Sequence, residues 1–358
     1  MAVAARRFLM VGGGTGGHVI PALAVARELR ARGHQVFFAG TERGIEAKLV
    51  PAGGFELRAI RIAGLNRVGW RQKIATLGRL PFTTLACRRM VSEADALFSM
   101  GGYAAGPPVM AALSRRIPVV AMEPNAFPGF TNRTIGRFVA RALISFPETA
   151  RYFPRGRTEL TGLPVREEFF AIAPRPRDGV LNLLITGGSQ GSRTLNRAAR
   201  DSWPLFLAGG RPVRILHQSG VSGFDDLRDA FGDSGLEGEV VPFIADMPAA
   251  FAAADLVVCR AGAGAVSELA AARKPAILVP FPFAADDHQT RNAEAIERAG
   301  AGRMIRDAEM SGRKLFETVA ELASGAGVLE RMGEAARRLA RPGAARRAAE
   351  ILEEVARG

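Results

Sequence analysis

Short runs of apolar residues recur from one end of the chain to the other and alternate with segments of helical character. Near-continuous apolar runs predict strands that are buried on both faces, and their alternation with helices predicts parallel sheets. The predicted strands are residues 8–11, 36–39, 96–100, 119–122 and 142–146 in the first half, and 181–186, 213–216, 240–243, 256–259 and 276–279 in the second.

Each half opens with the same local order of strand, glycine-rich loop and helix. Residues 8–11 run into GGGTGGH at 12–18, and residues 183–186 run into GGSQGS at 187–192. This repetition predicts two similar α/β domains that face each other across a cleft. Residues 164–179 contain three prolines and little periodicity, so we expect the domain linker there.

The charge of the chain is unevenly distributed. Residues 1–163 carry 23 Lys and Arg against 9 Asp and Glu, a net charge of +14, whereas residues 164–358 carry 25 against 26, a net charge of −1. The excess indicates an anionic partner for the first half alone. Aromatic residues make up 7% and are not interleaved with the arginines, so we expect no nucleic-acid partner. Without an 18-residue apolar run or a secretory signal, the chain is expected to be cytosolic.

The first glycine loop indicates a phosphate site. Gly12, Gly14 and Gly17 form a GxGxxG pattern between a strand and a helix, where the helix N-terminus offers N–H groups and a positive dipole end. A dinucleotide site remains an alternative at this point. His18 at the edge of the loop is either a packing residue or a general base, since imidazole titrates near neutral pH.

Polar residues follow the predicted strands of the second half as well. Ser189 lies in the second glycine loop, and Glu268 lies in the segment RAGAGAVSELAAA, where a carboxylate either complements the helix dipole or accepts two ribose hydroxyls. Gln289 follows in DHQTRNA, beyond a strand end, where α/β sheets bind ligands. Neither a DxD motif nor a metal-ligand cluster occurs, so we expect no metal and no cofactor.

These motifs together resemble the MurG family, the bacterial UDP-N-acetylglucosamine–N-acetylmuramyl-(pentapeptide) pyrophosphoryl-undecaprenol N-acetylglucosaminyltransferases. The resemblance runs in order through GGGTGGHVIPALAVA, MGGYAAGPP, EPNAFPG, TGLPVR, GGSQGSRTLN, FIADM, CRAGAGAVSELAAA and DHQTRNA, and so covers nearly the whole chain. It implies a GT-B fold of two Rossmann-like domains whose last helix returns to the first. The expected domains are then residues 1–163 plus 343–358, which bind the acceptor and associate with the membrane, and residues 164–342, which bind the UDP-sugar.

The resemblance also implies roles for individual residues. The implied substrate-binding residues are Thr15, Gly16 and Gly17 in the first loop, Asn125 on a sugar hydroxyl, Arg166 near the hinge, Ser189 on phosphate, Ile244 beside uracil, the turn Ala263, Gly264, Ala265, Val266 and Ser267 with Glu268 on the ribose, and Gln289 on N-acetylglucosamine. The family often has His-Glu-Gln-Asn and Gln-Gln-Tyr-Trp-Asn where this chain has Met-Glu-Pro-Asn at 122–125 and His-Gln-Thr-Arg-Asn at 288–292. This difference leaves the roles of His288 and Arg291 open.

The reaction implied is inverting transfer of N-acetylglucosamine from UDP to the C4 hydroxyl of the muramoyl sugar of a polyprenyl-pyrophosphate-linked acceptor, with His18 as the candidate base. A UDP-N-acetylglucosamine epimerase, another GT-B lipid glycosyltransferase and a non-catalytic nucleotide-sugar-binding scaffold are the alternatives. The epimerase would not need a basic first half.

The lipid-linked acceptor implies peripheral attachment at the cytoplasmic face of the bacterial inner membrane. The candidate patch for an anionic membrane surface combines Trp70, Ile74, Leu77 and Phe82 with Arg67, Arg71, Lys73 and Arg79. The alternative for this segment is an ordinary amphipathic helix that packs its apolar side inward.

Overall fold

The computed structural model describes residues 4–60, 70–175 and 179–357, with the backbone alone for 70–80 and 357. The chain divides into two compact units, one formed by Met1–Val165 together with Gly343–Gly358 and the other by Arg166–Pro342. Each unit is an α/β unit with its own parallel sheet.

The described residues of the first unit form a seven-stranded sheet in the order β3-β2-β1-β4-β5-β6-β7, and its neighbouring strands pair in parallel. Its strands are β1 (Arg7–Val11), β2 (Gln35–Gly40), β3 (Glu56–Ala59), β4 (Ala96–Ser99), β5 (Val119–Glu123), β6 (Arg141–Ile144) and β7 (Thr158–Leu160). Its helices up to the linker are α1 (Gly16–Ala31), α2 (Glu46–Ala52), α3 (Trp70–Val91), α4 (Gly106–Ser114) and α5 (Phe130–Ile135). Consecutive residues of β1 are fully buried, because helices cover both faces of the sheet.

The described residues of the second unit form a six-stranded sheet in the order β10-β9-β8-β11-β12-β13, again with parallel neighbours. Its strands are β8 (Leu181–Thr186), β9 (Val213–Gln218), β10 (Glu237–Val241), β11 (Leu256–Cys259), β12 (Ala276–Leu278) and β13 (Gly302–Met304). Its helices are α6 (Glu167–Phe170), α7 (Arg193–Ala208), α8 (Phe224–Gly232), α9 (Met247–Ala253), α10 (Ala263–Ala271), α11 (His288–Arg298), α12 (Gly312–Ser324) and α13 (Val328–Leu339).

The last helix, α14 (Ala344–Arg357), belongs to the first unit and packs against α1 and β4. Its Ile351 and Leu352 are fully buried. Glu353 of α14 accepts a hydrogen bond from the buried His34 ring at 2.8 Å and pairs with Arg32 at 3.3 Å. Apolar burial and these charged contacts together hold the tail on the first unit.

The segment at the start of the second unit is more structured than a linker. The sequence predicts the domain linker at residues 164–179, but α6 lies within them and Phe169 is fully buried. The Phe169 ring meets Phe251 of α9 edge to face, with centroids 5.2 Å apart. The part of this segment from Arg166 onward therefore belongs to the core of the second unit.

The candidate membrane patch lies partly outside the described residues. Arg67 is one of the residues not described, and the side chains of Trp70, Arg71, Lys73, Ile74, Leu77 and Arg79 are not described either. On the described part of α3, Phe82 is 75% exposed and Leu85 is 64% exposed, whereas Cys87 is buried. In the parts of the chain that the structure describes, no helix is long and apolar enough to cross a bilayer.

Candidate functional site

The strand order of each sheet reverses at one point, where the loops that follow two neighbouring strands run in opposite directions. In the first unit the order reverses between β1 and β4, and in the second it reverses between β8 and β11. Ligands of open parallel sheets bind beyond the carboxyl ends of the strands at such switch points. Both glycine loops lie there, because one follows β1 and the other follows β8.

The first loop places backbone N–H groups and His18 together. Thr15 is the N-cap residue of α1, without a side-chain capping hydrogen bond, and Gly16 and Gly17 form the first turn, where N–H groups lack helical partners. Gly14 has a φ of +88°, a conformation that other residues rarely adopt. The Nδ1 atom of half-buried His18 hydrogen-bonds the Gly13 carbonyl oxygen at 3.2 Å.

A buried carboxylate holds the loop after β5 in the first unit. Glu123 accepts hydrogen bonds from the backbone N–H and side-chain amide of Asn125 at 3.0 and 3.1 Å, and from the Gly129 N–H at 3.1 Å. Asn132 donates a further bond at 2.9 Å. Burial raises the pKa of Glu123, and these hydrogen bonds oppose that rise only in part. Asn125 is therefore fixed in place at the same edge as the first glycine loop.

In the second unit, one glutamine ties the glycine loop to the segment that carries Ile244. Gln218, which is 1% exposed, donates to the Gly188 carbonyl at 2.7 Å and accepts from the Ile244 N–H at 2.8 Å. Ser189, next to Gly188, is exposed at the tip of the loop. The predicted phosphate and uracil contacts thus share one rigid support.

A second connection runs between the two strands at the switch point. The guanidinium of Arg260, directly after β11, donates to the Ser192 hydroxyl at 2.6 Å and pairs with Asp307. Ser192 is also the N-cap of α7 and accepts from the Leu195 N–H. The starts of α7 and α10 are consequently held in a common frame.

Glu268 lies on α10, and its carboxyl group interacts electrostatically with the Arg166 guanidinium. Burial raises the pKa of the Glu268 carboxyl to about 7, and the Arg166 charge opposes that shift. The predicted turn from Ala263 to Ser267 forms the first residues of α10, so its N–H groups face the same edge of the sheet. A ligand that donates hydroxyl groups would favour the ionised form of Glu268.

The polar side chains of residues 287–292 make different kinds of contact. Gln289 accepts from the Phe281 N–H at 3.0 Å, which fixes its amide beyond β12. Asn292 is fully buried and donates to the Ala261 carbonyl at 3.1 Å, so it supports the turn before α10. His288 and Arg291 make local contacts, with the Ala285 carbonyl and with Glu294 respectively.

Three residues that hold the site were not singled out from the sequence. Arg260, Gln218 and the buried Glu46, which accepts from the Gly14 N–H, all act on loops far from them in sequence. Arg260 and Gln218 do stand directly after β11 and at the end of β9, positions where polar residues of parallel sheets face ligand sites. That position is the signal by which they could have been found.

Two Rossmann-like α/β units, each with a glycine loop and a helix N-terminus at its switch point, define a nucleotide-sugar-dependent glycosyltransferase of the GT-B class. Residues 8–144 match the glycosyltransferase family 28 N-terminal domain, and residues 182–353 match the family 28 C-terminal domain. The chain belongs to this family and, within it, to the UDP-N-acetylglucosamine–N-acetylmuramyl-(pentapeptide) pyrophosphoryl-undecaprenol N-acetylglucosamine transferases, the MurG enzymes.

The similarity extends over full lengths. The transferase of Solibacter usitatus is 72% identical, with 99% of this chain and 97% of that protein covered. The transferase of Geotalea uraniireducens is 42% identical, with 98% of each chain covered. The crystal structure of Acinetobacter baumannii MurG superposes with a TM-score of 0.83 at 33% identity, covering 98% of this chain and 99% of that one. The predicted fold class and family are confirmed.

Proposed function

We propose that the enzyme transfers N-acetylglucosamine from UDP-N-acetylglucosamine to the C4 hydroxyl of the muramoyl sugar of undecaprenyl-pyrophosphoryl-MurNAc-pentapeptide, with inversion. This step converts lipid I into lipid II in peptidoglycan synthesis. The observation that carries the proposal is full-length membership of this family combined with a glycine loop at the switch point of each sheet. In this proposal residues 1–163 and 343–358 bind the acceptor, and residues 164–342 bind the donor.

The donor is held by residues of the second unit. Ser189 and the N–H groups at the start of α10 contact the diphosphate, Ile244 lies beside the uracil, and Glu268 accepts the ribose hydroxyls. Gln289 recognises the N-acetylglucosamine, and Arg166 contacts the donor near the hinge. Negative charge develops on the UDP oxygen as the glycosidic bond breaks. N–H groups and helix dipoles aimed at that oxygen stabilise the leaving group.

The acceptor is activated in the first unit. His18 takes the proton of the C4 hydroxyl while that oxygen attacks the anomeric carbon from the face opposite UDP. Asn125 hydrogen-bonds a sugar hydroxyl, and Thr15, Gly16 and Gly17 contact phosphate through the start of α1. An open cavity of about 500 Å³ beside Gly14, lined also by Arg43 and Tyr103, provides room for the acceptor.

The enzyme is proposed to bind peripherally to the anionic cytoplasmic face of the inner membrane. The +14 charge of residues 1–163 and the exposed Phe82 and Leu85 on α3 support this placement. Phe82 and Leu85 are three residues apart on a helix, so they share one face and can enter the lipid headgroup region together. The full patch, with Trp70, Ile74, Leu77, Arg67, Arg71, Lys73 and Arg79, is part of the same proposal.

The test of the mechanism separates binding from turnover. His18→Ala should lower kcat by about 10²- to 10⁴-fold, the usual contribution of a general base. The dissociation constant for UDP-N-acetylglucosamine, measured by calorimetry, should stay within about twofold, because donor and base belong to different units. A variant that keeps more than about a tenth of the wild-type kcat would show that His18 is a packing residue.

A further inference from the structure

Glu46 places a buried carboxylate directly beneath the first glycine loop. Glu46 is 1% exposed. Its Oε1 atom accepts hydrogen bonds from the Thr41 N–H at 3.0 Å and from the Thr41 hydroxyl at 2.7 Å. Its Oε2 atom accepts from the Gly14 N–H at 3.0 Å. Burial would raise the pKa of this carboxyl, but the hydrogen bonds from Thr41 and Gly14 outweigh it and hold the pKa below its ordinary value. Glu46 therefore carries its negative charge inside the fold.

The surrounding backbone is shaped around this carboxylate. A Cβ atom on Gly13 or Gly44 would overlap the carboxylate oxygens, and one on Gly40 would overlap the Glu46 Cγ. Three segments, the loop after β1, the end of β2 and the turn before α2, can approach the carboxylate so closely only because they have glycine there. With the backbone this close, the hydrogen bonds from Gly14 and Thr41 hold the charge against the loop.

One peptide group connects Glu46 to His18. The Gly14 N–H that bonds Glu46 and the Gly13 carbonyl that bonds His18 Nδ1 belong to the same peptide unit. A carbonyl oxygen only accepts hydrogen bonds, so this contact requires the imidazole proton on Nδ1. A neutral imidazole with its proton on Nδ1 has Nε2 as its proton-accepting nitrogen. A charged acceptor on the N–H side also strengthens the bond that the carbonyl accepts, since hydrogen bonds in a chain polarise one another.

We propose that Glu46 is a positioning residue for His18, acting through the Gly13–Gly14 peptide to hold the imidazole in the tautomer whose Nε2 accepts the proton. The inference rests on the proposed role of His18 as the base. In the step it supports, the C4 hydroxyl proton passes to Nε2 and the hydroxyl oxygen bonds the anomeric carbon. The bond from that carbon to UDP breaks with its electron pair on the diphosphate, and the Glu46 charge stabilises the imidazolium that forms.

The first test replaces the charge without changing the shape of the side chain. Glu46→Gln should lower kcat by about 10- to 100-fold, comparable to the loss when the hydrogen-bonding partner behind a metal-bound imidazole is removed. The affinity for UDP-N-acetylglucosamine should stay within about twofold of wild type. Because the donor binds the second unit, a thermal unfolding transition like that of wild type is the evidence that the first unit of the variant is folded. Thr41→Val is the matched control, because it removes one hydrogen bond to Glu46 and keeps the bond to the Gly14 N–H. An equal loss of kcat in both variants would mean that Glu46 only stabilises the loop.

The decisive test is a double-mutant cycle with His18→Ala. Glu46→Gln should cost less than about twofold in kcat when His18 is already absent, because its effect passes through the imidazole. The same loss in both backgrounds would overturn the inference and leave the base role standing. An active His18→Ala variant would instead remove the base role and the inference with it. If Glu46→Gln does not fold, Glu46→Asp withdraws the carboxylate from Gly14 and is put through the same cycle.

Discussion

Donor affinity should depend on the ionisation of Glu268. Burial raises the pKa of this carboxyl to about 7, and a carboxylate that accepts ribose hydroxyls binds best when it is ionised. Near pH 6 only about a tenth of the unliganded enzyme has this group ionised, against about nine tenths near pH 8. If the donor binds the ionised form alone, its affinity should rise by about tenfold across that interval.

Calorimetry with UDP-N-acetylglucosamine and no acceptor measures this directly. The sugar nucleotide is preferable to UDP, since the terminal phosphate of UDP itself titrates with a pKa of about 6. Glu268→Gln is the matched variant and should give a dissociation constant that hardly changes over the interval. If the dissociation constants of wild type and Glu268→Gln changed equally with pH, or if that of wild type did not change, donor binding would not depend on the ionised Glu268 carboxylate.

The same carboxyl should influence stability in the opposite sense. Because its folded-state pKa is raised, the folded protein binds the proton more tightly than the unfolded chain does, and stability is lost as the pH rises towards about 7. Without ligand, Glu268→Gln should therefore melt at a higher temperature than wild type near pH 8, and the difference should shrink under mildly acidic conditions. A variant that melts lower than wild type near pH 8 would contradict the burial argument.

Two further predictions concern the support of the donor site and the membrane surface. Gln218→Met removes two hydrogen bonds worth about 1 kcal/mol each and should weaken UDP binding by up to about 30-fold, whereas Gln35→Met, at an exposed position of β2, should not; equal affinities would exclude Gln218 from the site. Phe82→Ser with Leu85→Ser should reduce sedimentation with anionic vesicles at an unchanged Tm, while Val221→Ser, 81% exposed in the second unit, should have no effect; undiminished binding would place the membrane surface elsewhere.

The interior strands could be predicted from the sequence, but the edge strands could not. Central strands such as β1, β8 and β11 are buried on both faces, so their apolar runs mark them closely. The edge strands β3, β7 and β13 are partly exposed, carry mixed residues and were not predicted. For the fourth edge strand, β10, the apolar pattern predicts residues 240–243, whereas the strand spans Glu237–Val241. The pattern misses its first three residues because they are exposed and are polar or glycine. Pairing with one neighbour, rather than apolar content, forms such strands.

In the site, too, local features could be predicted from the sequence and contacts between distant residues could not. Glycine loops and helix starts are local features, so positions such as Gly14, Ser189 and Glu268 could be found from sequence. The residues that hold those loops act across the fold. Glu46 reaches Gly14 32 positions away, and Arg260 reaches Ser192 68 positions away. Their partners exist only after the sheet has brought the loops together.

The proposed reaction can be tested by following the transferred sugar. The wild-type enzyme is incubated with UDP-N-acetylglucosamine labelled in the sugar and with the lipid-linked MurNAc-pentapeptide acceptor, and the products are identified by mass spectrometry and NMR. We expect one new β-linkage to the muramoyl C4 hydroxyl, stoichiometric release of UDP, and a much lower rate of product formation with UDP-N-acetylgalactosamine. Epimerised UDP-sugar, free N-acetylglucosamine without lipid product, or an α-linkage would contradict the proposed reaction.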